Sequence, residues 1–510
     1  MPGPIPTGPF SMPMYRDKVP EKIRPWIYIV FLVFFQLTGC IYLGAASHVV
    51  GSTGTMTEDV MFIGLCNVIG VNMPFPLLFR FKFRFTNRQL LINAALVIAI
   101  CNFLAMHTTS VPVLAALSFL AGFFKLCGTF ECASNIQLWM APGRDFQIFF
   151  PLLYIVVVGD IYLQGWMTGV LTYFFQDWHM MNWFIIGLML FIALTVFVLT
   201  KNYRFMKPLP LISVDWLGCL LWSAMMMEVV FLFEYGEYYN WIDGYNWRLG
   251  VVCFIVTLAL TLWRESYIRH PYISLKAFQY KTLIPTLGLY LIAEWLNTTP
   301  KVLQNAFMGG IEHWGMLTTS RLELIGWCGT VLGCLFTLYW CKVLRMKYTR
   351  LLTVGGFALV GYQVMMYFYI TPDLPITRLI IPLLLRAFGY AIYFTALTIY
   401  LEELMPFEHF FMGLTISGFI RNAPVEAIMG GLYSFGIRHQ VADTVASGIQ
   451  WDMQQIVMIS IKQLYGVTCI LGIAFLLLLM LYDVQPIRDT LKRIPSWYAV
   501  GKNLRKELKR

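Results

Sequence analysis

The sequence predicts an all-α integral membrane protein with fourteen transmembrane helices, and its composition, segment lengths and segment pattern support this fold class. Of the 510 residues, 58% are hydrophobic and 13% are charged, whereas a soluble domain has roughly 45–50% and about 25%. So few polar residues cannot cover the surfaces of the several soluble domains that this length would form. A soluble enzyme, a disordered protein and a nucleic-acid binder are therefore excluded, and the net charge of +10 indicates basic cytoplasmic loops.

Fourteen apolar stretches are long enough to cross a bilayer, which takes about 20 helical residues. They do not alternate polar and apolar residues as barrel strands do, so each one predicts a helix. They lie at 26–48, 58–79, 89–107, 111–140, 147–174, 181–200, 212–233, 249–264, 282–307, 321–341, 350–370, 377–401, 410–436 and 457–482.

The distribution of basic residues predicts the orientation of the chain. Most of the 37 Lys and Arg residues fall in the two tails and in every second loop, beginning with the loop between spans two and three. Because positive charge marks cytoplasmic loops, both termini are expected on the cytoplasmic side of the inner membrane. The loop after the twelfth span is the exception, since it carries Glu402, Glu403 and Glu408 without a base.

Two loops indicate an internal repeat. FRFKFRFTNRQLL at 79–91 and KVLRMKYTRLL at 342–352 both end one helix with alternating bases and begin the next. They occupy equivalent places if spans one to six and nine to fourteen are two six-helix halves. The predicted organisation is a cytoplasmic N-terminal tail whose prolines indicate an unstructured lead-in (1–24), a first half (25–200), two additional helices (201–270), a second half (271–485) and a basic cytoplasmic tail (486–510).

The 11 cysteines lie in or beside apolar runs, and none forms a CxxC pair. Free cysteine behaves as a small apolar residue when it is buried. We therefore expect neither a disulfide framework nor a metal site.

Five short motifs carry a resemblance to a known family: VDWLG (214–218), FEYGEYYNW (233–241), HPYISLKAF (270–278), RAFGYAIYF (386–394) and GFIRNAPVEAIMGG (418–431). They resemble motifs of the fourteen-span branch of the major facilitator superfamily, the EmrB/QacA-like drug:proton antiporters. The resemblance implies alternating access and proton-coupled efflux of small amphipathic or toxic compounds across the inner membrane. It also implies a proton gradient instead of a cofactor and, in Gram-negative cells, a periplasmic adaptor protein and an outer-membrane channel as partners.

The sequence also departs from that family, which identifies it as a divergent member. The first span, QLTGCIYLGAASHVV at 36–50, lacks the family's carboxylate. The loop between spans two and three lacks the family's Asp and glycines, and the fifth-span motif is reduced to two glycines. Gating or structural roles are expected for the motif residues that remain, Arg80, Arg84, Arg88, Gly165 and Gly169. An importer or an uncoupled facilitator of a specific small metabolite therefore stays open.

Polar residues mark one side of the ninth span, where Glu294, Asn297, Thr298, Lys301 and Asn305 recur at the spacing of one helix face. Charged groups inside a bilayer are costly, so each is a functional candidate. We expect this face to line a central cavity in which Glu294 binds a proton or a cationic substrate. The alternative is an ion pair between Glu294 and Lys301 that only packs helices.

Asp160 in the fifth span is the first candidate for the proton-coupling acid, and Gln164, one turn later, is a candidate for the substrate cavity. Nothing basic lies near Asp160 in sequence. It is therefore expected to take up a proton or to meet a base from another helix. Glu131 in the fourth span is a further coupling candidate, and its separation of six residues from Lys125 predicts different partners for the two side chains.

The twelfth and thirteenth spans carry arginines of the resembled motifs. Arg386 shares a helix face with Tyr390 and Tyr393, and Arg421 lies in the next span. All four are candidates for the substrate cavity, where an arginine can bind an anionic group or pair with a buried acid. A gating or structural role for the two arginines is the alternative.

An intramembrane enzyme, for example a lipid-linked transferase, is the remote alternative. Such an enzyme needs a reactive cluster at one membrane face, and the sequence contains neither HExxH nor GxSxG. The nearest candidate combines Glu402 and Glu403 with Glu408 and His409. The sequence therefore predicts a protein that is not an enzyme.

Overall fold

The computed structural model describes residues 12–39, 44, 46–143, 145–204, 207–212, 214–280, 283–447 and 452–484. Within these residues the regular structure is helical, apart from one isolated antiparallel bridge between Tyr15 and Thr200. The α-helices are α1 (Arg24–Gln36), α2 (Ala46–Thr53), α3 (Thr57–Asn72), α4 (Leu78–Arg84), α5 (Asn87–Ala105), α6 (Val111–Met140), α7 (Phe146–Val157), α8 (Gly159–Phe175), α9 (His179–Leu199), α10 (Trp216–Glu234), α11 (Tyr245–Tyr267), α12 (Leu283–Thr299), α13 (Met316–Tyr339), α14 (Tyr348–Tyr369), α15 (Ile380–Leu404), α16 (Phe407–Arg421), α17 (Ala423–Ala446) and α18 (Met453–Val484).

Eleven helical segments among the described residues are long and apolar enough to cross a membrane, which makes the chain a multi-pass membrane protein. The fourteen predicted stretches all coincide with helices. Three of these stretches are not among the eleven segments. The first is covered by α1, which has only 13 residues, and the ninth holds α12, which has 17. The thirteenth is broken between α16 and α17. An all-helical membrane fold is confirmed, whereas the count of fourteen spans stays a prediction.

The two predicted halves pack their helices in the same order. In the first half, α1, α3 and α5 contact α6, and α5 contacts α9. In the second half, α12, α13 and α14 contact α15, and α14 contacts α18. The halves meet reciprocally, because α8 packs against α13 and α3 packs against α17. Each contact therefore joins the second span of one half to the fifth span of the other, as an approximate two-fold relationship requires.

Glycines permit the close approach of these helices. A Cβ atom on Gly70 of α3 would lie 2.1 Å from the Phe119 carbonyl oxygen of α6, and one on Gly122 would lie 2.1 Å from the Asn67 carbonyl oxygen of α3. Small residues at helix contacts are typical of membrane proteins, where packing replaces hydrophobic burial as the source of association. The two glycines therefore set the distance between α3 and α6.

The N-terminal tail differs from the predicted unstructured lead-in. Met12, Met14 and Tyr15 are each about 1% exposed and belong to the main apolar core. The backbone pairs with the segment after α9, where Lys201 N–H donates to the Met14 carbonyl oxygen at 2.9 Å. The prediction was wrong for residues 12–15 because these apolar side chains bury against the first half, while proline is compatible with a short extended edge.

Candidate functional site

A cavity of about 180 Å³ lies between the two halves. Its walls come from α8, from the segment that follows α12, from the N-terminal parts of α13 and α15 and from Gly44, which follows α1. These are helix ends that the charge pattern predicts to be extracytoplasmic. The lining residues are Gly44, Gly165, Gly169, Gln304, Asn305, Met308, Met316, Thr319, Ser320, Leu322, Glu323, Gly326, Leu383 and Arg386.

Two opposite charges line this cavity. Arg386 on α15 and Glu323 on α13 interact electrostatically, and both line the wall. The guanidinium carbon of Arg386 lies 5.6 Å from the ring centre of Tyr162 and 5.9 Å from that of Tyr362. Tyr162 belongs to the first half, so the arginine contacts both halves. Among the described residues, the buried Nε of Arg386 has no hydrogen-bond partner.

The structure separates the polar residues of the ninth span. Helix α12 ends at Thr299, and two π-helical turns follow at Pro300–Gln304 and Ala306–Ile311. Because a π-turn holds more residues than an α-turn, the predicted single face does not continue past Thr298. Asn305 therefore lines the cavity together with Gln304, whereas Glu294 and Asn297 do not. The Lys301 side chain lies outside the described part of the structure.

Glu294 is buried in the second half, away from the cavity wall. Its carboxylate accepts a hydrogen bond from the Tyr390 hydroxyl at 2.6 Å. Thr298 does not present its hydroxyl to the cavity, since that group donates to the Glu294 backbone carbonyl at 2.8 Å. The structure thus brings Glu294 and Tyr390 together, a pair that the sequence analysis placed in different candidate groups.

Asp160 is 2% exposed and sits in a polar cluster of the first half. The Gln164 side-chain amide donates to its carboxylate at 2.8 Å and also donates to the Gln36 carbonyl. Lys125 of α6 supplies the positive charge that interacts with Asp160. One carboxylate oxygen, Oδ1, has no hydrogen-bond partner among the described residues. Of the two expectations for Asp160, proton uptake or a base from another helix, the structure therefore shows the second.

Glu131 forms a different cluster. Its carboxylate lies 3.4 Å from the Lys82 ammonium and accepts a hydrogen bond from the Asn135 amide at 3.0 Å. Lys82 is 6% exposed, although the sequence analysis counted it among the bases of a cytoplasmic loop. Its burial follows from α4, which runs through this loop and turns the Lys82 side chain toward α6. Glu131 and Lys125 have different partners, as their spacing predicts.

Arg421 lies at the end of α16 in an aromatic cluster that joins the halves. Its guanidinium carbon lies 4.3 Å from the ring centre of Phe394, and Nη1 lies 3.5 Å from the Thr398 hydroxyl oxygen. Tyr154 from the first half donates to the same Thr398 hydroxyl at 3.2 Å. Tyr393 does not join Arg386, since its hydroxyl is directed toward Gly356 on α14.

The fifth-span glycines lie where α8 crosses α13. A Cβ atom on Gly169 would lie 2.4 Å from Cβ of Ser320, and one on Gly165 would lie 3.2 Å from Cγ of Glu323. Their four-residue spacing gives α8 a flat surface of the small-xxx-small type. Both glycines therefore permit the contact between the halves that forms one wall of the cavity.

The helix ends predicted to be cytoplasmic are held together across the halves. Lys342 pairs with Asp145, and the Glu403 carboxylate accepts hydrogen bonds from Gln147 at 2.8 Å and from Tyr348 at 2.6 Å. The rings of Phe79 and Phe411 are 4.8 Å apart and add an apolar contact. Glu403, a member of the cluster considered for an enzyme, thus takes part in a contact between the halves.

The predicted gating arginines of the loop between spans two and three do not form one group. Arg80 is half-buried, and Arg84 is exposed. Arg88 stacks over the Phe197 ring of α9, with 4.4 Å between the guanidinium carbon and the ring centre. Arg88 therefore contacts another helix within the first half.

Two residues of the cavity wall were missed by the sequence analysis, Glu323 and Gln304. Glu323 lies only two residues inside the predicted tenth span, yet a carboxylate within an apolar stretch is itself a signal. Gln304 lies off the predicted helix face, and the π-turn that brings it to the cavity has no recognised pattern in the sequence.

No protein-family model matches the chain, and no curated protein matches its sequence. Solved structures do match it. A crystal structure of the nucleoside transporter NupG shares 12% sequence identity, with 88% of this chain and 99% of that chain covered and a TM-score of 0.52. A crystal structure of the peptide transporter POT in complex with sulfate shares 12%, with 92% and 97% covered and a TM-score of 0.59.

A third similar structure is that of the human organic anion transporter MFSD10, with 10% sequence identity, 89% of this chain and 100% of that chain covered, and a TM-score of 0.52. At such identities the likeness concerns the fold and does not select the fourteen-span antiporter branch. The chain has a major-facilitator-type membrane fold.

Proposed function

We propose that the chain is a secondary transporter that moves a small solute across the membrane by alternating access. The observation that carries this proposal is a charged cavity between two similarly packed halves whose opposite ends are held together. Rocking of one half against the other would open the Lys342–Asp145 end and close the cavity. The fold likeness to transporters of peptides, nucleosides and organic anions supports the same class of function.

Asp160 is the proposed proton-coupling acid. A carboxylate buried in a membrane protein is costly unless it is paired or protonated. Asp160 has one pairing charge, Lys125, and one carboxylate oxygen without a partner among the described residues. Proton uptake would release Lys125 from this pair, so protonation and helix packing in the first half are linked. Glu294, which is hydrogen-bonded to Tyr390, is the second candidate, and Glu131, which is ion-paired with Lys82, is the third.

Export and uptake are both consistent with this mechanism. Proton-coupled efflux of small amphipathic or toxic compounds across the inner membrane follows from the motif resemblance, which also implies a periplasmic adaptor and an outer-membrane channel as partners. Uptake or facilitated movement of a specific small metabolite is the second proposal. It is favoured by a compact cavity that presents Arg386 and Glu323 instead of a purely apolar wall.

Transport in everted membrane vesicles tests the proposal. The vesicles come from a host that lacks its own efflux pumps, and they expose the cytoplasmic side without any outer-membrane partner. Energised accumulation of a compound that disappears when the pH gradient is collapsed would establish proton-coupled export. Movement that is indifferent to the gradient would favour the facilitator. If a panel of amphipathic compounds and small metabolites fails to move in everted and in right-side-out vesicles, the transport proposal is wrong.

A further inference from the structure

The volume of the cavity indicates the size of the ligand that suits it. A cavity of about 150 Å³ holds one benzene molecule, whereas sites for drug-sized ligands measure roughly 300–1,000 Å³. At about 180 Å³, this cavity fits a solute with only a few more atoms than benzene. Amino acids with a short or branched side chain have this size.

Arg386 supplies a positive charge at one side of the cavity. The Tyr162 and Tyr362 rings hold its guanidinium in place from both halves. The buried Nε has no hydrogen-bond partner among the described residues. A planar guanidinium that is already oriented binds a carboxylate through two parallel hydrogen bonds. A carboxylate is therefore the ligand group that best matches this guanidinium.

Glu323 supplies the opposite charge on the same wall and interacts with Arg386 through space. A ligand with a single charge would draw one member of this pair away and leave the other without compensation, and the cost of this rises with the burial of the pair. A ligand with a carboxylate and an ammonium group a few bonds apart compensates both. The polar side chains of Ser320 and Asn305 complete a wall suited to such a compact polar solute.

We propose that the cavity binds a zwitterionic solute of amino-acid size, with its carboxylate on Arg386 and its ammonium group on Glu323. This inference rests on the proposed transport function, because it names the substrate class of the same cavity.

A binding experiment on the purified full-length protein tests the proposal without requiring transport. Ligands that bind the folded state raise the melting temperature, so the twenty proteinogenic amino acids are screened in detergent by thermal denaturation. The amino acid with the largest effect is then compared with two analogues of the same carbon chain, one without the carboxylate and one without the amine. We expect stabilisation by the zwitterion and little by either analogue.

Variants test the assigned residues. Arg386→Gln and Glu323→Gln should each weaken binding of the zwitterion by roughly tenfold to a hundredfold, the range for loss of a charged hydrogen bond. Arg378→Gln is the matched control, because Arg378 is exposed and precedes the same helix. The analogue without the amine should bind Glu323→Gln more tightly than it binds the wild-type protein. This gain would further support the charge assignment.

Two results would overturn the proposal: no amino acid stabilises the wild-type protein, or a singly charged analogue stabilises it as strongly as the zwitterion. Failure of transport itself has a different signature. A zwitterion that binds through Arg386 yet does not move in vesicles would refute the transporter and leave the binding site standing. Transport of another class of compound, without zwitterion binding, would refute only this inference.

Discussion

The side-chain amide of Asn72, in the first half, donates a hydrogen bond to the backbone carbonyl oxygen of Gly418, in the second half, at 3.1 Å. Helix α16 ends three residues later at Arg421, and carbonyl groups in the last turn of a helix lack partners within it. Asn422, where the backbone leaves the helical region, donates its own side-chain amide to Asn72 Oδ1 at 2.6 Å. One asparagine of α3 thus stabilises the break that positions Arg421.

Replacement of Asn72 by alanine should weaken the contact between the halves. It removes two interhelical hydrogen bonds and leaves the Gly418 carbonyl without this donor, so we expect a loss of about 1–2 kcal/mol in the free energy of unfolding. The matched control is Asn102→Ala, because, within the described residues, the Asn102 amide donates to Ile98 of its own helix and not across to another helix. Thermal denaturation in detergent measures both. Equal losses in the two variants would contradict a role for Asn72 between the halves.

Replacement of Asp160 by asparagine should abolish the pH dependence of transport. Asparagine keeps the shape and the hydrogen bond with Gln164 but cannot exchange a proton. We therefore expect net accumulation driven by the pH gradient to disappear, while exchange of labelled for unlabelled solute continues. Glu228→Gln serves as the control, since Glu228 lies in α10 and bonds to Thr257 at 2.9 Å. Gradient-driven accumulation that persists in Asp160→Asn and disappears in Glu294→Gln would move the coupling role to Glu294.

Replacement of Glu131 by glutamine should lower the free energy of unfolding more than it changes transport per folded molecule. The Lys82 ammonium would remain buried and lose its nearby carboxylate, a change that costs about 3–5 kcal/mol when a buried pair is broken. The double variant Lys82→Met/Glu131→Met should recover much of this loss. Unfolding measurements and transport per folded molecule separate the two roles. Normal stability combined with lost proton coupling in Glu131→Gln would identify Glu131 as a coupling acid.

Replacement of Gly169 by alanine should separate α8 from α13. The added methyl group would overlap with Ser320, and overpacking of this kind costs about 1–3 kcal/mol. We expect slower transport and a lower melting temperature, with both restored by Ser320→Gly in the same chain. Gly187→Ala on α9 is the control, because, among the described residues and apart from the adjoining backbone of α9, nothing lies within 4 Å of its added Cβ. If Ser320→Gly fails to restore either property, the predicted clash does not explain the defect.

Local spacing predicted part of the candidate site. Asp160 and Gln164 are one helical turn apart in the sequence, and the structure joins them by a hydrogen bond. The spacing of Glu131 and Lys125 likewise predicted different partners. The partner of Glu131 is Lys82, and the partner of Asp160 is Lys125. Each lysine lies on a different helix from its carboxylate, so no pattern along one helix could identify it.

The sequence by itself determined that the chain is an all-helical membrane protein, because so high an apolar fraction in runs of bilayer length leaves only helices that pair their own backbone groups. Tertiary structure alone decided which polar groups meet. The π-turns after α12 move Gln304 and Asn305 to the cavity and separate them from Glu294, since a change in residues per turn rotates everything that follows. Arg386 and Glu323 line one cavity where glycines let α8 and α15 approach α13 closely, and that approach depends on packing between segments far apart in the chain.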